Sequence, residues 1–520
     1  MTHLHTELLT SERIQVETKY GTLTGGRAAN GTAVFLEVPY GLPPARFQDP
    51  IALPLDFRYA QREYTRELTY ATQPTNDGQA RDTPFEDKVG YGKPSENALA
   101  LNVVSPASFP TANGKFPVRV YIHGGFLQFG SPHGLQAQCV SEERSEVWVN
   151  IGYRLSAFGF LACDQPKISG NFGFKDQWLA LEWIKENIES FGGDPDNIKI
   201  TGLSAGAHSV HQLLHYASHL PEGVQAPFHS AVLQSNAIVC APRTLVELRP
   251  QFEALCRALT IDPAAPNALE LLSEVPSSTI TKVIETLGEF GTFRACMDGP
   301  GWLPASPDPM AWQRTGFASS LRKKGVKSIL IGDLTEEWYL YSIAHPIDTP
   351  KDIVPTLERY YARDMVMKLV QHYDTLPEDA TSEASEKLFG QILSDSQVHL
   401  PIRILVRDLH NAGFPVLRYE IRWTPEQNRP EGGYVTHGSD KVLWAFRTPE
   451  LIQDNIIPDQ IDTARTWLRR VAEELEAVES AGKNIRGPKD ILILGEDRVV
   501  EWEQDEKWDE KMRLLSALPE

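Results

Sequence analysis

The chain has 520 residues, 41% of them hydrophobic and 23% charged, with a formal net charge of −19. That is ample apolar content for a large core, and the excess of acid leaves no broad basic face for nucleic acid. The acidity is read as a solubility feature rather than as a docking surface for a cationic partner.

The opening stretch "MTHLHTELLTSERIQVETKYG" has no apolar signal-peptide core, and no run of about 18 apolar residues occurs anywhere, so no membrane span is expected. Cys139, Cys163, Cys240, Cys256 and Cys296 are scattered and odd in number, without metal-ligand spacing. They predict free thiols in a reducing compartment and a cytoplasmic protein. Cys240 and Cys256 could close a modest loop only if the chain were exported.

In "IQVETKYGTLTGG" and "TAVFLEVPYGLPPARF" short apolar runs alternate with turn residues, which predicts small antiparallel strands. From "FPVRVYI" the pattern changes to nearly continuous apolar runs: "EVWVNIGY", "NIKITGL", "SAVLQS", "SILIGD" and, near residue 415, "PVLRYEI". Runs of that kind fit strands buried on both faces of a parallel sheet. Between them, Phe174, Trp178, Leu181, Ile184 and Ile188 recur at three- and four-residue steps, the period of a helix face. Gly192 and Gly193 are expected to end that helix with positive φ, and Asp194-Pro195-Asp196 to turn the chain into the next strand.

These elements predict a single α/β domain over residues 1–520. Its core occupies about 14–240, 325–342 and 411–500 around a mostly parallel sheet flanked by helices. Mostly helical insertions at about 240–325 and 343–410 are expected to form a lid or pocket.

Gly202-Leu203-Ser204-Ala205-Gly206 fits G-x-S-x-G and lies between the strand "NIKIT" and the helical "AHSVHQLLHYA". In that context the motif predicts a nucleophile elbow, a sharp turn that exposes the serine hydroxyl over the end of the sheet. A serine nucleophile needs a base to take its proton and donors for the oxyanion. His123-Gly124-Gly125-Phe126, ending another buried strand, can turn backbone N–H groups inward, and Ala205 follows the nucleophile.

Taken together, "VPYGLPPARFQDP", "SENALALNVVSP", "YIHGGFLQFGS", "NIGYRLSAFGFL", "GNFGFKDQWLALEWIKENIESFGGDPDNIKITGLSAG" and "FHSAVLQS" resemble the type-B carboxylesterases, the cholinesterase–lipase branch of the α/β-hydrolases. The resemblance covers most of residues 14–500. It implies the α/β-hydrolase fold and a catalytic set of Ser204, Glu337 and His437, with Glu337 taken from "ILIGDLTEEWYLY" and His437 from "GGYVTHGSDKVLWAF". Glu336 is adjacent to the acid and Asp333 is close by. The implied oxyanion donors are the amides of Gly125, Phe126 and Ala205. No organic cofactor and no metal is implied, and the partner is a small-molecule ester; oligomeric state stays open.

Four positions depart from the family pattern. Phe126 stands where a third glycine is usual and is expected to narrow the acyl pocket. Leu203 replaces a glutamate common before the nucleophile, which argues against a choline ester. Trp338 follows the acid in place of glycine and is expected to add bulk near the site, and Ala98 replaces a cysteine of exported relatives. His208, His211, His215 and His219 could line one helix face, but H-E-x-x-H is missing and they are read as packing residues.

The expected activity is hydrolysis of an uncharged, hydrophobic carboxylic ester through an acyl-enzyme. An acyltransferase, a pathway-specific lactone- or ester-processing enzyme, and a non-catalytic binding module on the same fold are the alternatives. The segments "EFGTFRACMDGPGWLPASPDPMAW" and "EEWYLYSIAHP" are expected to shape the pocket.

Overall fold

Strands buried on both faces must be apolar at nearly every position, and the continuous runs of the sequence are where such strands occur. The computed structural model describes every residue except 1–3, 11, 76–91, 112–113, 238–241, 300, 448–455 and 519–520. Cys240, and with it any pairing to Cys256, lies outside the described residues; Cys139, Cys163, Cys256 and Cys296 are free thiols.

One sheet gathers twelve strands: β1 (Arg13–Thr18), β2 (Gly21–Arg27), β3 (Ala33–Pro39), β4 (Ala100–Ser105), β5 (Phe116–Ile122), β6 (Val147–Ile151), β7 (Gly193–Leu203), β8 (Ser230–Gln234), β9 (Ser328–Leu334), β10 (Val416–Ile421), β11 (Asp490–Leu494) and β12 (Val500–Gln504). Their spatial order follows the chain except that β6 lies between β4 and β5. From β6 to β11 all neighbours are parallel, while both margins are antiparallel. This is the mostly parallel sheet flanked by helices that the alternation of strands and helices predicted, in keeping with the α/β-hydrolase fold that the resemblance implied.

Side chains alternate between two cores. On one face Ala231 and Leu233 of β8 join Ile329 and Ile331 of β9, together with Phe174, Leu181 and Ile184 of helix α1 (Phe172–Asn187) and Val210, Leu213 and Leu214 of helix α2 (Ala205–Ser218). On the other face Val232, Leu330 and Leu417 pack with Trp467, Leu468 and Val471 of a long helix, Ile461–Ala481. That helix and the C-terminal hairpin β11–β12 were not foreseen from the sequence. Leu245–Ala258, Ser277–Ile284, Ser382–Ser394 and Leu400–Asn411 show that the two insertions are helical.

The turn before β7 differs in detail from expectation. Gly192 takes φ 83° and closes the helical segment, but Gly193 already belongs to β7, and Asp194-Pro195-Asp196 falls inside that strand where its register against β5 shifts. A Cβ on Gly193 would come within 2.7 Å of both Ile188 and Val118, so this glycine serves close packing rather than positive φ.

Candidate active site

The carboxyl ends of β5, β7 and β9 open toward one crevice, where parallel α/β sheets place their ligands. Ser204 sits between β7 and α2 with φ 60° and ψ −125°, a conformation L-residues rarely adopt and one that costs about 1–3 kcal/mol. The bend is fixed by hydrogen bonds. Ser204 N donates to Gln234 O of β8 at 2.8 Å, and His208 N donates to Ser204 O at 3.0 Å. A Cβ on Gly202 would lie 2.2 Å from the Gly206 carbonyl, and one on Gly206 would lie 2.1 Å from Ile122 O. Both glycines are therefore required for strand, turn and helix to approach.

The glycine turn after β5 lies directly against the elbow, since a Cβ on Gly124 would be 3.0 Å from Ser204 Cβ. Gly125 has φ 117° and Phe126 φ 57°, so the chain here curls through left-handed conformations and its amides point away from regular pairing. No acceptor within the described residues receives the N–H of Gly125, Phe126 or Ala205. His123 is held by Nδ1 against Gly124 O at 2.9 Å and stacks on Tyr153. Burial pulls it down to about 4, so it stays neutral.

On the opposite side His437 directs Nδ1 to Glu337 Oε2 at 2.6 Å, linking side chains 100 residues apart. The other carboxylate oxygen accepts from Leu334 N at 3.0 Å. Glu337 is fully buried and the His437 side chain is 5% exposed. The neighbouring acids are engaged elsewhere. Glu336 accepts from Val435 N at 2.7 Å. Asp333 takes the Nδ1 of His399 at 2.7 Å and faces Arg403. Although burial opposes it, those partners hold Asp333 well below the usual carboxylate range.

The turn that carries His437 also touches the elbow: a Cβ on Gly438 would lie 3.7 Å from Leu203 Cδ2. His437 Nε2 is buried and makes no hydrogen bond, so the Ser204 hydroxyl is not bonded to it in this structure.

Asp440 is a further residue of the site that nothing in its sequence context singled out. It is fully buried, accepts from Trp444 Nε1 at 2.8 Å, and leaves Oδ1 without a partner. Burial pushes its carboxyl up to about 6; the nearby Glu337 charge acts in the same direction, opposed by the Trp444 bond and His437.

A pocket of about 930 Å³, counted out to its solvent-open mouth, is lined by Phe126, Ser204, Ala205, His208 and Tyr341 among others. The Phe126 ring meets Tyr341 and His345 edge-on at 6.4 and 6.3 Å. Glu289, Thr292 and Arg294 come from one of the two segments expected to shape the pocket, and Tyr341 from the other. Trp338 departs from expectation. Its ring packs on Tyr434 and Tyr339 beneath Lys387, and it lines a different cavity beside Tyr373 and His399.

The histidine face of α2 is absorbed by packing. His211 and His215 lie 4.9 Å apart, His215 stacks on Phe317 and His219 on Trp312. Burial lowers His215 to about 3. Among the described residues no group of three His, Cys, Asp or Glu could hold a metal ion, and no helix is long and apolar enough to cross a membrane.

With this geometry in place, comparison with known proteins is consistent in direction. A model described as the carboxylesterase family matches residues 12–467. An uncharacterized esterase/lipase of Schizosaccharomyces pombe is 31% identical over 507 residues, covering 91% of this chain and 90% of its own. A carboxylic ester hydrolase of Gibberella moniliformis is 29% identical over 516 residues, with 92% and 90% covered. Mouse carboxylesterase 1F is 25% identical over 495 residues, with 87% and 84% covered. A solved PNB esterase superposes with a TM-score of 0.72 over 96% of this chain and 99% of its own; at 22% identity it speaks to the fold.

Proposed function

This chain belongs to the carboxylesterase family and is a carboxylic ester hydrolase; on that premise we propose that it works through Ser204, His437 and Glu337 and an acyl-enzyme. The Ser204 oxygen attacks the ester carbonyl while His437 Nε2 takes the hydroxyl proton. The carbonyl oxygen becomes an oxyanion received by the amides of Gly125, Phe126 and Ala205. When the carbonyl re-forms, the bond to the alcohol oxygen breaks and the proton passes from His437 to that oxygen. Water repeats the sequence on the acyl-Ser204 carbonyl and releases the acid. Glu337 holds the imidazole with its proton on Nδ1 and stabilises the imidazolium that forms.

The observation that carries this reading is the 2.6 Å bond from His437 to Glu337, which leaves Nε2 as the unengaged nitrogen. In ligand-free hydrolases the catalytic hydrogen bonds are often long and tighten when substrate is bound, and the Ser204–His437 bond is expected to form in that way. The apolar part of the ester packs on Phe126, Leu127 and Tyr341. Rapid-quench kinetics with p-nitrophenyl acetate test the mechanism. A burst of p-nitrophenol equal to the enzyme concentration, lost in Ser204→Ala, is the expected result. Turnover in Ser204→Ala within tenfold of the parent refutes it.

A further inference from the structure

Among the described residues, the pocket beside Ser204 is walled by three arginines, Arg243, Arg294 and Arg359, and one carboxylate, Glu289. In a chain with a formal charge of −19 this is a local reversal of sign. Burial lowers His208, the only histidine among the described residues of that wall, to about 4, so it adds no charge at neutral pH. Glu289 is exposed at the rim, whereas all three arginines are half-buried.

Each guanidinium contacts a neighbouring group. Arg243 donates Nη2 to Glu358 O at 3.0 Å, and Arg359 donates Nη2 to Thr292 Oγ1 at 3.2 Å. Arg294 lies with Cζ 4.1 Å from the centroid of the Tyr360 ring. Burial, reinforced by repulsion from Arg294 and opposed by the carboxylates of Glu247 and Glu289, lowers Arg243 from its ordinary value, which places the two cations within electrostatic reach of each other. Collecting like charges in a partly enclosed cavity is unfavourable until an anion enters. A guanidinium fork matches a carboxylate with two parallel hydrogen bonds, better than it matches any neutral group.

We propose that the preferred substrate is an ester that also bears a carboxylate, held at its anionic end by Arg243, Arg294 and Arg359 while the ester carbonyl lies at Ser204. This rests on the serine-esterase reading above and replaces the uncharged ester expected from the sequence. The bond cleaved is neutral; the molecule that carries it is not.

Matched ester pairs test the idea in two arms, using the full-length protein. The acyl arm compares the p-nitrophenyl monoesters of adipic and suberic acid with their methyl-capped counterparts. The alcohol arm compares 4-acetoxybenzoate with methyl 4-acetoxybenzoate. In at least one arm kcat/KM favours the acid by about tenfold or more, as expected for one charged hydrogen-bonded contact. That ratio falls toward one in Arg294→Gln and Arg243→Gln, and recovers in part in Arg294→Lys. Equal or better cleavage of the neutral ester in both arms overturns the proposal, as does a ratio that neither glutamine variant moves. A fluorophosphonate probe separates the two levels. Labelling of Ser204 with a flat ratio overturns only the anion preference, whereas no labelling and no ester cleavage overturns the serine mechanism and this inference with it.

Discussion

Replacing Glu337 with glutamine changes one oxygen to an amide nitrogen and leaves shape almost untouched, yet both possible orientations of the new side chain are unfavourable. One carboxylate oxygen accepts from His437 Nδ1 at 2.6 Å and the other from Leu334 N at 3.0 Å. If the amide NH₂ faces Leu334, two donors meet in a fully buried site, at a cost of about 1–3 kcal/mol. If it faces His437, the imidazole must accept at Nδ1 and carry its proton on Nε2, where it can no longer take the Ser204 proton. The second arrangement satisfies more hydrogen bonds and is the expected one. A base in the wrong tautomer lowers kcat by about 10³–10⁴-fold, with KM changed much less. Glu336→Gln is the matched control, because Glu336 accepts from Val435 N and Thr335 Oγ1 rather than from His437. Its kcat should stay within about tenfold of the parent by the same logic. Steady-state kinetics on a p-nitrophenyl ester, with melting curves to verify folding, decide the matter. Glu337→Gln retaining a tenth or more of kcat while Glu336→Gln is inactive would refute the reasoning.

Asp440→Asn should stabilise the protein at neutral pH. The Asp440 carboxyl is pushed up to about 6 from an ordinary 3.8, so ionising it inside the fold is unfavourable. The penalty is absent below pH 4, grows between pH 4 and 6, and reaches roughly 2–3 kcal/mol above that. Urea unfolding of both proteins at pH 4 and pH 8 should show a gain for the variant only at pH 8, and an equal gain at both pH values would contradict the buried-charge argument. Phe126→Ala opens the wall that faces Tyr341 and His345; kcat/KM for branched or long acyl chains should rise relative to acetate by about tenfold, an aromatic ring being worth that much volume. An unchanged chain-length profile would show that the ring lies off the acyl path. Gly202→Ala drives a methyl into the Gly206 carbonyl at 2.2 Å, so the elbow must open. Destabilisation of about 3 kcal/mol or more and loss of burst activity are expected, and a fully active, equally stable variant would contradict the tight bend.

The parts of the fold that could be read in advance are those whose physics is local. β8 and β9 are buried along their length, β5 is buried over its last three residues, and α1 shows its buried stripe at helical spacing. β12, "VEWEQ", is half-exposed and charged at a sheet margin, and the helix Ile461–Ala481 has a mostly charged outer face, so neither stood out. Ser204 was legible because glycines two residues either side allow a bend that other residues would block. Glu336 and Glu337 are adjacent and chemically alike, and only their three-dimensional partners distinguish them. The arginines of the pocket lie at 243, 294 and 359, on segments brought together by the insertions; no spacing in the chain announces that convergence. Asp440 is similarly silent, since an aspartate three residues after a histidine is ordinary until its burial is known.

The most direct measurement is a crystal structure of the protein after inactivation by a p-nitrophenyl alkylphosphonate. The expected adduct is a single phosphorus–oxygen bond to Ser204, with His437 Nε2 within about 3 Å of an adduct oxygen and the phosphoryl oxygen within about 3 Å of the Gly125, Phe126 and Ala205 amides. Phosphorus on another residue, or a phosphoryl oxygen turned away from those three amides, would contradict the mechanism.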